Sequence, residues 1–543
     1  MSTTERPAVA HDDHRVPGTF AGTGAMLRFL LRRERFLLPW WLLGGTFLFA
    51  YQSVGSQSVY DTPQDLANLR ETLGANAAVV AMSGPPELLE TIGGEVVFEI
   101  FAFLSIIVAL MNMFLVGRHT RTEEETGRAE LIRSARVGRR AQATAALCLA
   151  AIADLGIGLL VVLAGIGTGL PAGGSLVLGA AVAVVGLFFA GLATAAMQVF
   201  QGVRAAYGSV ALVLGAAFAL RAIGDAGGGA VSWASPIGWG QRTFPYVENR
   251  WWPLLFPLAG AALLAAAGFA LLDRRDFGAG LVAQRDGRAA APRSLGSPLG
   301  LAWRLQRGTL AGWTAGLLLL GVGFGSIGDT VTEFAQDNPE FADFLGGRAN
   351  LIDSFFAFSF VAVALLAAAY GVVSAMRLRA EETSGRAEPI LATKVSRLSW
   401  LSGHLVVTLA GALALLVVSG LGMGVAYALA ASDPGQIPRL VGASLVHVPA
   451  VWLLVGLAVL GLGWLPRAAA AVAWAVFAYC AFIAMFSDAI DLPGWTEAVS
   501  PFAHTPELPL ESLTATPLAV TAAVLAASLA GGYLGLRRRD LGY

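Results

Sequence analysis

Long apolar segments alternate with short polar segments along the whole 543-residue chain. An α-helix needs about 20 apolar residues to cross the hydrocarbon core of a bilayer, and segments of about that length recur from one end of the sequence to the other. We therefore predict an all-α integral membrane protein with twelve transmembrane helices. The predicted spans are 36–55, 97–117, 143–169, 175–200, 206–223, 253–272, 309–328, 354–376, 403–430, 441–464, 468–486 and 516–536.

The composition agrees with this pattern. Hydrophobic residues make up 56% of the chain and charged residues 13%, whereas soluble domains carry about 25% charged residues. The two cysteines, Cys148 and Cys480, both fall inside predicted spans, so the sequence indicates no disulfide framework. These features exclude an ordinary soluble domain.

The basic residues indicate the orientation. If the N-terminus is cytosolic, 30 of the 36 Lys and Arg residues lie in cytosolic segments. Such an asymmetry is what the positive-inside rule describes. We predict a multi-pass protein of the cell inner (plasma) membrane with both termini in the cytosol.

The sequence contains an internal duplication with a long period. Residues 121–139 match residues 379–397 at an offset of 258, and we call these segments the first loop and the second loop. The residues of the first loop that have identical partners in the second include Glu123, Glu124, Gly127, Arg128, Ala129, Glu130, Val137 and Arg139.

Further landmarks recur in the same order. Arg35 and Trp41 align with Arg307 and Trp313, the Ser-Pro pair at 235–236 aligns with that at 500–501, and RRDFG at 274–278 aligns with RRDLG at 538–542. We predict two tandem six-helix repeats of the same orientation. The predicted parts are a cytosolic tail with an amphipathic lead-in helix (1–35), a first six-helix unit (36–276), a cytosolic linker with a second lead-in (277–308) and a second six-helix unit (309–543).

The two loops are the best candidates for function. On a continuous helix, Glu124 and Arg128 lie four residues apart with the acid first, which is the favoured orientation for an ion pair. Glu382 and Arg386 repeat this spacing. The glycine between them, Gly127 in the first loop, lowers helicity and predicts a bend or a close backbone contact. A solvated loop that only sets orientation requires arginine but not glutamate, so we favour a short charged helix that faces a protein partner.

The usual signatures of enzymes and metal sites are absent from the sequence. A Walker A loop requires a lysine that is followed by Ser or Thr, but the only lysine, Lys394, is followed by Val395. No H-E-x-x-H motif and no Cys/His cluster with metal-ligand spacing occurs. We therefore predict no catalytic site, no bound cofactor and no metal in this chain.

The repeated segment E-E-x-x-G-R-x-E resembles the ABC-2 type permeases, specifically the duplicated permeases of polyketide-antibiotic (tetronasin-type) exporters. The resemblance implies an ABC exporter whose two loops each supply a coupling helix to a separate ATPase subunit. The coupling residues would be Glu123, Glu124, Gly127, Arg128, Glu130, Glu381, Glu382, Gly385, Arg386 and Glu388.

The same resemblance implies the partners. These would be two copies of a separate ATP-binding subunit, which would hold ATP and magnesium, together with membrane lipid and a small hydrophobic substrate, and no nucleic acid. Pro389 replaces Leu131 of the first loop, so we expect a shorter or kinked helix in the second loop. Because exposed ion pairs contribute only about 0–1 kcal/mol to stability, we expect loss of the loop glutamates to weaken docking without unfolding the membrane core.

Polar residues inside the predicted spans suggest a transport path. Asp154, Asn112 and Glu99 are the candidates, because ionisable groups at the bilayer centre cost at least about 2.5 kcal/mol. A structural hydrogen bond is the competing interpretation for Asp154. The long outer segments either gate an exit path or only cover helix ends.

Two other functional classes stay open at this point. A secondary transporter of the major-facilitator type also has parallel six-helix repeats and would be driven by protons. A membrane enzyme or sensor has no feature in its favour. The sequence does not choose between self-resistance, drug efflux and the export of envelope lipids.

Overall fold

The computed structural model describes residues 18–60, 62–282, 290–328, 351–487 and 493–539. The chain divides into two compact units, Met1–Asp286 and Gly287–Tyr543. The described residues are predominantly α-helical, and extended pairing among them is limited to an isolated parallel bridge between Phe200 and Val282. The division between the units falls inside the predicted linker.

The first unit contains twelve described α-helices. In chain order they are α1 (Thr23–Glu34), α2 (Leu38–Val59), α3 (Pro63–Thr72), α4 (Ala77–Met82), α5 (Ile92–His119), α6 (Arg121–Glu125), α7 (Arg128–Arg133), α8 (Ala141–Gly167), α9 (Ala172–Val199), α10 (Val203–Ala226), α11 (Pro236–Gln241) and α12 (Leu255–Arg274).

The second unit contains nine described α-helices, which we number onward from the first unit. They are α13 (Pro298–Ile327), α14 (Leu351–Thr383), α15 (Ala387–Leu391), α16 (Arg397–Ala430), α17 (Gln436–Leu445), α18 (Val448–Trp464), α19 (Ala469–Phe486), α20 (Gly494–Val499) and α21 (Ala515–Arg538). The predicted second lead-in is not a separate helix, because residues 298–308 form the first turns of α13.

Ten helices in the described part of the chain are long and apolar enough to cross a membrane. A helix also occupies each of the two other predicted spans. One is α2, whose second half carries the polar residues Gln52, Ser53, Ser56 and Gln57. The other is α19, whose apolar stretch is shorter. The chain is thus an α-helical integral membrane protein, and the count of twelve spans stays a prediction.

The second predicted span of each unit is the most enclosed of its long apolar helices. It is α5 in the first unit and α14 in the second. Most of α5 and most of α14 is buried. In the first unit α9 packs against α5, α8 and α12. A methyl group at Gly158 of α8 would lie 2.6 Å from the carbonyl oxygen of Gly179 on α9. Glycine therefore allows these backbones to approach closely, as small residues commonly do in membrane proteins.

The lead-in helix α1 is held to α5 by a buried carboxylate. Glu34 is 1% exposed and accepts hydrogen bonds from Arg118, at 2.9 Å, and from His119, at 2.8 Å. Burial alone would raise the pKa of Glu34, but the hydrogen bond with His119 and the charge of Arg118 hold this pKa below its usual value. Arg118 and His119 therefore favour the ionised form of the Glu34 carboxylate.

The aligned position in the second unit is neutral. The offset of 272 that aligns Arg35 with Arg307 also aligns Glu34 with Gln306. Gln306 lies 3.4 Å from the Nδ1 atom of His404, and its side-chain carbonyl accepts from Thr408 at 3.3 Å. The two lead-in segments are therefore fixed by different chemistry.

A pH titration of stability can test the role of Glu34. A depressed carboxyl pKa stabilises the folded state above the unfolded pKa of about 4.3, and this contribution is lost as pH falls through the folded value. We expect the melting temperature of wild type to exceed that of Glu34→Gln near pH 7. The gap should close as the pH falls below about 4.3. Scanning fluorimetry of the detergent-solubilised protein measures this, and a gap that widens on acidification would contradict the assignment.

Candidate functional site

The first loop is a helix–turn–helix rather than one continuous helix. α6 ends at Glu125, and Gly127 has φ of +73° before α7 begins at Arg128. This left-handed conformation is readily adopted by glycine. The predicted ion pair between Glu124 and Arg128 is wrong, because the turn rotates Arg128 away from the spacing of a continuous helix. Arg128 lies instead 3.8 Å from Glu123.

Glu123 connects the first loop to the lead-in helix. Its side chain is only 5% exposed and accepts a 2.7 Å hydrogen bond from Arg33 of α1. Arg128, which lies 3.8 Å from the same carboxylate oxygen, remains largely exposed. Glu123 is therefore an internal contact of the fold, with one arginine facing solvent beside it.

Glu124 connects the same loop to the end of α12. Arg275 donates to both of its carboxylate oxygens, at 2.5 and 2.9 Å, and the two side chains are 4% and 6% exposed. Arg121 donates a further bond at 2.6 Å. Both arginines also donate to the carbonyl oxygen of Ala279 at 3.0 Å. We call the Glu124–Arg275 contact the first anchor pair.

The second loop repeats this arrangement within its own unit. Arg539, at the end of α21, donates to both oxygens of Glu382 at 2.6 and 2.8 Å, and we call this contact the second anchor pair. Arg379 lies 3.2 Å from the same carboxylate. Gly385 has φ of +70°, and Arg386 lies 3.9 Å from Glu381. The predicted pair between Glu382 and Arg386 is therefore wrong for the same reason as in the first loop.

A further arginine in each loop binds the backbone at the end of the last span. Arg139 donates to the carbonyl oxygens of Leu272 and Arg275, at 2.8 and 2.7 Å. Arg397 donates to the carbonyl oxygen of Arg539 at 2.7 Å. A cation at the C-terminus of a helix is stabilised by the unpaired carbonyl groups there. The duplicated Arg139 and Arg397 thus share one structural role.

The sequence contained a signal for the arginine partners that the loop motif alone did not provide. Arg121 and Arg379 are separated by the offset of 258, and Arg275 and Arg539 by the offset of 264 of the RRD segments. That each loop contacts the RRD segment of its own unit is seen only in the structure.

The two loops leave a smaller surface available to a partner than the motif suggested. Glu130 and Glu388 are exposed, and so are the residues that follow them, Leu131 and Pro389. Leu131 is 76% exposed. The expectation that all the loop glutamates are exposed is wrong for Glu123, Glu124, Glu381 and Glu382. As expected from Pro389, α15 is shorter, with five residues against six in α7.

Asp154 and Asn112 lie together in the interior of the first unit. The Asn112 side-chain amide donates to Asp154 at 2.7 Å and to the carbonyl oxygens of Val108 and Gly186, at 2.8 and 3.0 Å. Both side chains are fully buried. The contact joins α5, α8 and α9, so a structural hydrogen bond accounts for Asp154, and its role in transport stays a prediction.

Glu99 lies apart from this contact. It accepts a 2.7 Å hydrogen bond from Gln52 of α2. Glu95, one turn earlier on α5, is fully buried, and sequence reasoning missed it. The polar residues of α2 have several partners: Gln52 donates to Glu99 and Ser56, and Ser53 shares a 2.7 Å hydrogen bond with Thr168.

Loss of an anchor pair should destabilise the protein, whereas loss of an exposed loop acid should not. Removing one partner of a buried ion pair costs about 3–5 kcal/mol because a buried charge is left uncompensated. We expect Glu124→Gln to lower the melting temperature clearly and Glu130→Gln, its exposed control in the same loop, to leave it nearly unchanged. Scanning fluorimetry measures both, and equal melting temperatures would contradict the internal role of Glu124.

The close approach at Gly186 can be tested in a similar way. A methyl group at Gly186 would lie 2.2 Å from Asp154 Oδ1. Overpacking of a tight interior typically costs about 1–3 kcal/mol, so we expect Gly186→Ala to lower thermal stability. Gly208→Ala on α10 is the control, because a methyl group there meets no atom within 4 Å. If the two variants melt together, the packing interpretation of Asp154 fails.

Comparison with known proteins places the chain in a family. A family model that describes the C-terminal domain of the multidrug efflux system permease Rv1217c matches residues 295–537. The multidrug efflux system permease protein Rv1217c of Mycobacterium tuberculosis is 39% identical over 541 residues, which cover 99% of this chain and 98% of that protein. The chain therefore belongs to the family of multidrug efflux permeases that includes this mycobacterial protein.

Proposed function

We propose that the chain is the membrane-spanning permease subunit of an ATP-driven exporter of the ABC type. It would move hydrophobic or amphipathic compounds, antibiotic-like or lipid-like, out of the cell by alternating access. Two copies of a separate ATP-binding subunit would supply the energy, because this sequence has no Walker A loop. Membership of a family of efflux permeases supports the direction of transport.

The observation that carries this proposal is the duplicated, anchored loop. In each unit a short helix with an exposed acid follows a glycine in the left-handed conformation, and a buried ion pair ties the base of the loop to the last span. α5 is followed directly by α6. A push on α7 would therefore reach both α5, the second predicted span, and α12, the last predicted span of the unit. A loop needed only for orientation would not require a buried carboxylate.

The exposed tips would form the docking surfaces. Leu131 offers an exposed apolar side chain beside the acid Glu130, while Pro389 occupies the matching place beside Glu388. Apolar anchors with neighbouring charges are common at the centres of protein interfaces. We expect the first loop to be the more sensitive of the two to substitution.

A proton-driven transporter of the major-facilitator type is the alternative, and Glu95 and Glu99 of α5 are the acids on which it would depend. Membership of the family of multidrug efflux permeases does not favour it. Asp154 is accounted for by its hydrogen bond with Asn112 and its contact with Gly186. Transport into proteoliposomes driven by a proton gradient alone, without an ATPase, would favour this alternative.

Charge reversal at the tips tests the coupling role. We expect Glu130→Arg combined with Leu131→Asp to abolish co-purification with a co-expressed ATPase from a neighbouring gene. The loss of one buried interfacial partner can cost about 2–5 kcal/mol. The permease itself should remain monodisperse, because both residues are exposed and outside the anchor pair. Leu281→Asp, which changes another exposed leucine of the first unit, is the control.

The measurements are pull-down of the ATPase and drug-stimulated ATP hydrolysis in reconstituted vesicles. Normal complex formation after charge reversal at the exposed acids of both loops, Glu130 and Glu388, would contradict the coupling role. A wild-type protein that transports without any ATPase would overturn the proposal as a whole.

A further inference from the structure

An apolar groove lies between α13 and α16 of the second unit. Its volume is about 540 Å³, within the roughly 300–1,000 Å³ of small-molecule sites. Its lining is mainly apolar, with two serines at one end.

Close helix contacts bound the groove along its length. A methyl group at Gly403 would lie 2.8 Å from the backbone of Pro298, and one at Gly321 would lie 2.4 Å from the carbonyl oxygen of Ser419. On α16 these contacts, at Gly403 and Ser419, lie before and after the lining residues 406–414. Gly411 contributes to the lining, and its lack of a side chain leaves room for the Tyr370 hydroxyl, 2.2 Å from where a methyl group would stand.

One end of the groove is polar and basic. Ser294 and Ser297 precede α13, and Arg293 is exposed beside them. Arg307 lies four residues after Trp303 and three before Leu310, so it shares the helix face that lines the groove. Arg304 is also exposed, and residues 287–328 contain no Asp or Glu. The positive charge at this end is therefore not balanced by an acid of the same segment.

The apolar end lies deeper along the spans. Val406, Ala410 and Ala414 follow the start of α16 at Arg397 by about two to five helical turns. Trp303 is about half exposed between the two ends, and tryptophan is enriched where a bilayer meets water. The groove thus runs from an interface with basic residues into the hydrocarbon region.

We propose that this groove binds an anionic lipid of the adjacent leaflet, which the positive-inside rule predicts to be the cytosolic one. One acyl chain would lie along Leu310, Ala410 and Ala414, and the headgroup would contact Arg293, Arg304 and Arg307. A lipid matches both ends of the groove, since basic side chains near a membrane surface attract anionic headgroups while the apolar part accepts an acyl chain. The inference does not depend on the proposed ATPase partners.

A second cavity of the same unit provides a control. It has a volume of about 430 Å³ and is bounded by α18 and α19. All of its lining residues are apolar or glycine, and Val472 of α19 is one of them. A ligand held by apolar contact alone would use both cavities, whereas an anionic lipid should prefer the basic groove.

Photolabelling of the full-length protein in lipid nanodiscs tests the proposal. The probe is phosphatidylglycerol with a diazirine on one acyl chain, and phosphatidylcholine with the same group is the zwitterionic comparison. We expect phosphatidylglycerol to label peptides of 299–310 and 406–414. Ala410→Phe, which fills the groove, should lower this labelling about tenfold, a change equal to about 1.4 kcal/mol. Val472→Phe in the second cavity should leave it unchanged.

The charge requirement is tested separately. Replacing Arg293, Arg304 and Arg307 by Gln should remove the preference for phosphatidylglycerol while leaving the weaker phosphatidylcholine labelling unchanged. Equal labelling by both lipids in wild type would overturn the anionic assignment, and labelling unaffected by Ala410→Phe would overturn the site. If that variant misfolds by size-exclusion chromatography, Ala410→Leu replaces it with the same expected direction. Labelling requires no ATPase, so its outcome is separate from that of the coupling experiment.

Discussion

A carboxylate buried against an arginine at the end of the last span is the interaction on which the functional loops depend. Glu124 meets Arg275 in one unit and Glu382 meets Arg539 in the other, each through two hydrogen bonds. Taking both charges out of water is costly, and good geometry with additional hydrogen bonds is what offsets the cost. Around the first pair the carbonyl group of Ala279 and Arg121 provide such contacts, and at the second pair Arg379 lies 3.2 Å from the carboxylate. The loop backbone is thereby fixed although its tip is solvent-exposed.

This constraint divides the repeated motif into two parts. The two adjacent acids hold the base of the loop, and Glu130 and Glu388, after the glycine, remain exposed. The glycine separates the parts because φ near +70° ends the first helix and starts the next at a new angle. A motif that reads as one charged helix is therefore an internal anchor joined to an exposed tip.

The helices could largely be predicted from the sequence, since apolar length and period are local properties. α2 was less clear, because its polar residue Gln52 is matched by the carboxyl group of Glu99 on α5, 47 positions away. The candidate loops were found from the duplication. The pairing inside them was not, because a turn at Gly127 changes which acid Arg128 meets, and Arg275 lies 151 positions from Glu124. Such contacts depend on how the helices of a unit pack against one another, which the local pattern of a single sequence does not reveal.

The placement of the anchor pairs has a consequence for the order of synthesis. Each pair joins a loop made early in a unit to an arginine made at the end of the same unit. During translation the loop glutamate therefore stays solvated until the last predicted span of its own unit (α12 or α21) has been inserted. The first half can close its pair before the second half exists, because both partners lie before the linker. A chain divided within 277–308 would keep both partners of each pair in the same fragment.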